Sequence, residues 1–151
     1  MPKVLIVGYG NPLRQDDAVG WLAGQRLSSL YEHDSCVEVV VCHQLTPEMA
    51  EPLSRSELAL FLDAACNGLP GDFRATEIAA SPQQPPDATH HLTPQELLAV
   101  SVRLYERSPH AMLLSVTGRQ FELGESLSKE AAQGVDQMVE RARFLIDTHL
   151  S

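Results

Sequence analysis

The sequence predicts an α/β protein, a three-layer α/β/α sandwich around a mostly parallel, twisted sheet of about five strands. Two observations predict it. Unbroken apolar runs, Val4-Leu5-Ile6-Val7, Leu58-Ala59-Leu60-Phe61-Leu62 and Ala111 to Val116, lack the alternation of a strand with one wet face and read as strands covered on both sides. Between them stand segments with apolar residues at helical spacing, and strands alternating with helices build parallel sheets between helical layers.

Taken in order, residues 4–7 form the first strand, which ends in Gly8-Tyr9-Gly10-Asn11, a tight turn or a close backbone approach. A helix follows over residues 17–30, with Val19, Leu22, Ala23, Leu27 and Leu30 as its buried face and Asp16 as its N-cap. On that assignment Asn at position 16 would serve as well. Residues 37–42 are the second strand, and Thr46-Pro47 opens a short helix to about Leu53. The third strand, from Leu58, runs into Asp63-Ala64-Ala65-Cys66. Phe73 to Ile78 alternates and suits an edge, and Ser81 to Ala88, with three prolines, is a surface loop. Thr93-Pro94-Gln95-Glu96 matches a capping box, so a helix begins at Pro94 and buries Leu97, Leu98, Ser101 and Leu104. A further strand spans Ala111 to Val116. The last helix runs from about Leu127 to Ile146 on a stripe of Ala131, Ala132, Val135, Met138, Val139, Ala142, Leu145 and Ile146.

The chain of 151 residues reads as one domain over 1–151, with no internal repeat. A net charge of −9 and a pI near 5.0 disfavour nucleic acid and anionic membranes, which require positive patches. Cys36, Cys42 and Cys66 form neither a disulfide framework nor a CxxC pair, which suits a reducing compartment. With no charged leader and no apolar run of spanning length, a cytoplasmic protein is expected, without membrane partners.

The first loop is not built for a nucleotide. A dinucleotide fingerprint needs Gly at position 13, where Leu stands, no Gly-Lys-Ser/Thr follows, and Asp16-Asp17 would repel a phosphate. In a parallel sheet ligands bind beyond the carboxyl ends of the strands. Three positions converge there: Asp16-Asp17, Asp63, and His90-His91 before a helix. Two carboxylates and an imidazole can hold a borderline cation such as nickel or zinc and leave room for substrate or water. Asp17 is the expected ligand, with Asp16 ordering the loop; either histidine can reach an ion. His43 also stands at a strand end. His33, His110 and His149 read as surface residues, and Cys66, with no histidine near it in sequence, as an incidental thiol. Neither a Gly-x-Ser-x-Gly elbow nor a His-Glu-x-x-His pair is present.

These residues carry a resemblance that spans essentially the whole chain. Gly8-Tyr9-Gly10-Asn11, Leu13, Asp16-Asp17 and Gly20, then Leu62-Asp63-Ala64, Thr89-His90 with Leu97, and finally Val116-Thr117-Gly118, Gly124 and Leu127-Ser128 resemble, in order and spacing, the hydrogenase maturation proteases. Those endopeptidases remove the C-terminal extension of the large subunit of nickel–iron hydrogenases. The resemblance implies that Asp17, Asp63 and His90 are the catalytic and metal-contacting residues, with His91 a bystander. It also implies that nickel arrives already installed in the immature large subunit, the partner protein, and that no nucleotide is used. A monomer is expected, with an apolar groove for the partner near Ser81–Ala88. His43-Gln44-Leu45-Thr46-Pro47-Glu48 departs from the glycine-rich turn that many members carry after strand two. A second function class, a nickel-sensing or chaperone module that binds the precursor without cutting it, would use the same three residues.

Overall fold

The computed structural model describes residues 2–81 and 91–151. Among them a five-stranded sheet is built from β1 (Val4–Tyr9), β2 (Val37–Cys42), β3 (Leu58–Ala65), β4 (Phe73–Ile78) and β5 (His110–Thr117), in the order β2-β1-β3-β5-β4. β4 alone runs antiparallel, at one edge, pairing Phe73 with Val116 through Ile78 with Ala111. The other neighbours are parallel. Helices α1 (Val19–Leu30) and α4 (Lys129–Leu150) cover one face, while α2 (Ala50–Ser54) and α3 (Pro94–Tyr105) cover the other.

Strand alternation splits the core between these layers. Val4, Ile6, Leu60, Leu62, Leu114 and Val116 pack under α1 and α4. Leu5, Val7, Ala59, Phe61 and Ala111 pack with Leu53, Leu97 and Leu98 on the opposite side. The central strands are therefore apolar on both faces, the feature that identifies them in the sequence.

The capping box forms as expected. Glu96 N–H donates to Thr93 Oγ1 at 3.1 Å and Thr93 N–H to Glu96 Oε1 at 3.0 Å, with Pro94 in the first turn. Four details depart from the sequence reading. Leu30 and Leu104 are 52% and 60% exposed, each in the last turn of its helix. Ala132 is exposed, and Gly134 takes its place against the sheet, where a Cβ would stand 2.3 Å from Val116 Cγ1. Asp16 is not a helix cap: it lies within a 3₁₀ turn, Gln15–Ala18, and α1 starts from Ala18 with no side-chain cap. Apart from Ser81, which is exposed, the proline-rich loop and the groove expected beside it lie outside the described residues.

α1 approaches the sheet closely because glycine meets backbone. A Cβ on Gly20 would lie 2.2 Å from Leu62 O and 2.5 Å from Tyr9 O, and one on Gly8 would lie 2.4 Å from Gly20 O. Peptide atoms cannot rotate away as a side chain can. Gly20→Ala is therefore expected to push α1 off β1 and β3 and to cost about 3 kcal/mol, the upper part of the usual overpacking range. Urea denaturation of the purified variant measures it, and a loss below about 0.5 kcal/mol would contradict this packing.

Candidate functional site

The strand order reverses between β1 and β3: from β1 the chain crosses to β2 on one side, and β3 lies on the other. Such a switch point opens a crevice at the carboxyl ends of the strands. There the structure has a cleft of about 240 Å³ lined by Tyr9, Gly10, Asp17, His43, Gln44, Leu45, Asp63, His91 and Leu92. A larger cavity of about 760 Å³ lies between α1 and α4, over Leu22, Leu127 and Val139, but no strand end reaches it.

Asp17 and Asp63 thus share one cleft, as the fold reading required. Asp17 Oδ2 accepts the Asn11 N–H at 2.8 Å, which folds the loop after β1 back on itself. Gly10, at φ +146°, lies so close to Asp17 O that a Cβ would approach it to 2.1 Å. Asp63 Oδ1 accepts the N–H of Ala64 at 2.7 Å. His90, the third residue of the expected ligand set, lies outside the described residues. Among the described residues no group of three His, Cys, Asp or Glu side chains is arranged to hold a metal ion.

Two residues contribute more than the sequence suggests. His43 lines the cleft and rests against Trp21 of α1, with ring centroids 5.1 Å apart and planes tilted by 52°. Tyr9 matters more. β1 and β3 are in register from Val4↔Leu58 to Gly8↔Leu62, so Tyr9, the next residue, comes beside Asp63 on the face that carries Val7 and Phe61. Both side chains line the cleft. Burial, and then the charge of Asp63, hold the phenol protonated well above its ordinary range. Only strand pairing, which no local motif encodes, could point to it.

Asp63 itself is pushed up to about 6. Burial is the main cause and the nearby Asp17 charge adds to it, while Tyr9 and Ala64 N–H pull the other way. A carboxylate kept in so unfavourable a place is a mark of a functional site.

Asp16 is its opposite. Its side chain is fully buried and every hydrogen bond to it comes from residues more than 100 positions away. Oδ1 accepts from Ser128 N–H at 2.8 Å. Oδ2 accepts from Ser128 Oγ–H at 2.6 Å, Arg119 N–H at 2.7 Å and Gln120 N–H at 3.2 Å. Burial alone would raise its pKa, but these donors outweigh burial and hold the carboxyl below the usual range. Ser128 is also the N-cap of α4, accepting from Ala131 N–H at 3.1 Å, so the charge stands where the helix dipole favours it. Backbone pairs flank the clamp: Gln15 N–H to Gly124 O, Gly124 N–H to Leu13 O, and Asp16 N–H to Gln120 O.

Of the remaining candidates, His91 lines the cleft, whereas Cys66 is exposed and not among its lining residues. His110 and His149 contact Glu77 and Glu57 elsewhere, and His33 is solvent-exposed beside Glu32.

Comparison with known proteins bears on the fold. No protein-family model matches the sequence, and no curated protein matches it. Solved structures do. The [NiFe] hydrogenase maturation protease HycI from Thermococcus kodakarensis KOD1 superposes with a TM-score of 0.75 at 21% identity, over 93% of this chain and 89% of that one. The hydrogenase maturating endopeptidase HybD from E. coli gives 0.77 at 17% identity, over 99% and 94%. HybD from Thermococcus kodakarensis gives 0.68 at 21%, over 96% and 99%. The chain has the fold of the hydrogenase maturation proteases. In this maturation-protease fold, Asp17 and Asp63 are the two carboxylates that meet at the β1–β3 crevice.

The two buried aspartates give opposite stability signatures. Asp63, with a native pKa above the 3.8 of an ordinary aspartate, destabilises the fold when ionised; the penalty is full above about pH 6 and disappears as pH falls to about 3.8. Asp63→Asn should therefore gain on the order of 2 kcal/mol at pH 7 and nothing at pH 4. Asp16, with its pKa lowered, stabilises the fold above about 3.8 and loses that contribution only as pH falls further, through its native value. Asp16→Asn should lose about 3 kcal/mol at pH 7, because an amide cannot accept all four bonds and turns a donor toward donors. Urea midpoints of the two variants from pH 4 to 8 test both signs. An Asp16→Asn protein as stable as wild type would restore the helix-cap assignment.

Proposed function

We propose that this protein is an endopeptidase that removes the C-terminal extension of the nickel-loaded precursor of a nickel–iron hydrogenase large subunit. The observation that carries the reading is the pair Asp17 and Asp63 in one cleft at the switch point, within a fold similar to HycI and HybD. Fold alone does not specify chemistry. The carboxylate pair supports the reading, because two acidic groups held in one small cleft suit a cation and repel an anion.

Nickel, in this reading, is part of the substrate. Asp17, Asp63 and His90 are the residues assigned to contact it, an oxygen-and-nitrogen donor set that suits a borderline divalent ion. Each described carboxylate has one oxygen fixed by a backbone N–H, from Asn11 for Asp17 and from Ala64 for Asp63, which lowers the entropy cost of gathering them round an ion. A cation there also offsets the repulsion between the two aspartates that raises Asp63. An ion held by these residues would supply Lewis-acid polarisation of the scissile carbonyl or a lowered pKa for an attacking water. The precursor supplies the metal and the peptide together, so cleavage is confined to a loaded large subunit. Among the described residues no helix is long and apolar enough to cross a membrane, and a cytoplasmic site of action accords with the expected partner.

Purified protein mixed with nickel-loaded and nickel-free precursor, followed by mass spectrometry, tests the assignment. Loss of a defined C-terminal peptide from the loaded precursor only is the expected result. Asp17→Asn, Asp63→Asn and His90→Ala should each slow it by on the order of 10²-fold or more while circular dichroism stays unchanged. Cys66→Ala should cleave normally. Binding without any mass change would instead establish a nickel-sensing module, and a folded but inactive Cys66→Ala would move the chemistry to the thiol.

A further inference from the structure

We propose that the free edge of β2 receives the precursor as an added strand, holding an extended segment of it a few residues from the scissile bond. Holding the peptide in this way rests on the protease reading above and deepens it. The hydrogen-bond parity of β2 carries the assignment. In a parallel pair, alternate residues of a strand turn both N–H and C=O to the same neighbour. Cys36 O accepts from Val4 N–H at 3.0 Å and Cys42 O from Gly10 N–H at 3.2 Å, with an unbroken register between them from Val4↔Val37 to Tyr9↔Cys42. Glu38 and Val40 therefore face β1 as Cys36 and Cys42 do, and Val37, Val39 and Val41 turn their peptide groups to the opposite side. Val37 N–H is closed by the turn before the strand, donating to Asp34 O at 3.1 Å. Val39 and Val41 stand beyond that turn, on the side where the sheet ends among the described residues.

The two edges of the sheet differ in what they admit. β4 exposes Arg74 and Glu77, one on each face, and charges on an edge discourage pairing with another chain. β2 has the sequence VEVVVC, with a single charge, and its residues after Val37 are only half-buried. Such an edge is a template for a further strand, and peptide groups recognise peptide groups, so the occupant is an extended polypeptide. At a net charge of −9 two copies of this chain repel each other. Position favours the precursor. Cys42 pairs with Tyr9, and Tyr9 follows the Gly8↔Leu62 pair, so Cys42, Tyr9 and Asp63 form one row across three strands. β2 then leads into His43 and Gln44, which line the cleft with Asp17 and Asp63. From an added strand to Asp63 is three strand spacings, about 14 Å, which roughly four residues of extended backbone cross.

Val39→Pro removes an outward N–H without breaking a bond to β1, since proline is tolerated on an edge where its nitrogen faces away from the sheet. Val39→Ala trims the side chain and keeps the N–H. Wild type and both variants are titrated with nickel-loaded precursor, with cleavage followed by mass spectrometry and folding by the melting temperature. Val39→Pro should raise KM about tenfold or more and leave kcat within about twofold, while Val39→Ala stays near wild type in both. A folded Val39→Pro with the KM of wild type overturns the proposal. Amide hydrogen exchange of wild type under a saturating excess of the same precursor gives a test that needs no variant. Exchange at Val39 and Val41 should slow about tenfold or more, while Val40, already turned to β1, changes little. Unchanged exchange at Val39 and Val41 refutes the added strand, and slowing that follows protein concentration without precursor refutes it in favour of a second copy. If wild type binds the precursor without cutting it, the protease reading fails and the exchange pattern still judges the edge. A precursor neither cut nor bound overturns both.

Discussion

Among the described residues the buried charge of Asp16 has no salt-bridge partner, and four hydrogen bonds from a distant part of the chain make that burial tolerable. Much of the site depends on this arrangement. The loop after β1 has few apolar anchors: Leu13 is about half exposed, and Gln15 adopts a left-handed backbone at φ 50° that an L residue occupies only under constraint. The constraint comes from residues 119–128. Gln15 is held by Gly124 O and returns its own side-chain oxygen to Glu122 N–H, while Asp16 gathers the donors at the start of α4. Asp17, the next residue, inherits its place from that clamp. Two adjacent aspartates thus take different places: Asp16 is buried under four hydrogen bonds, while Asp17 lines the cleft.

The same clamp explains a feature of the sequence. The segments Gly8 to Gly20 and Val116 to Ser128 resemble a known family as two separate motifs. In three dimensions they form one hydrogen-bonded unit, joined by the bridge between Arg14 and Gly124 and by the Asp16 bonds. Gly118 belongs to it as well, since a Cβ there would lie 2.7 Å from Asp16 Cβ. Their spacing reflects the need to bring a loop and a helix start together.

Most of the fold is legible in the sequence because its signals are local. Continuous apolar runs mark the central strands, alternation marks β4 as the edge, and the Thr93–Glu96 box marks the start of α3. Asp17 and Asp63 reach the same cleft from different elements, Asp17 from the turn after β1 and Asp63 from within β3, which the sequence reading ends at Leu62 and the structure extends to Ala65. Asp16 reads wrongly as a helix cap because short-range cap chemistry and long-range donor chemistry favour the same residue type, and only the tertiary structure decides between them. Tyr9 escapes a sequence reading because its partner is defined by inter-strand register, which a single strand does not encode. Leu30 and Leu104 keep the helical period yet lie exposed in the last turns of their helices, so period alone overstates the core.

The contact of α1 with β1 and β3 through glycine has a consequence for how a partner is received. Where side chains meet, rotamers provide slack, and helices can slide by small amounts as a ligand enters. Peptide against peptide provides none. Gly20 under Leu62 O and Tyr9 O, and Gly8 under Gly20 O, bind α1 tightly to β1 and β3, the strands that bear Tyr9 and Asp63, while Gly10 under Asp17 O packs the turn that bears Asp17. Adaptation to an incoming chain must then come from the other wall of the cleft, where His43, Gln44, Leu45, His91 and Leu92 present side chains. The acidic side is thus the closely packed wall of the cleft, and the facing wall is the one whose side chains can turn.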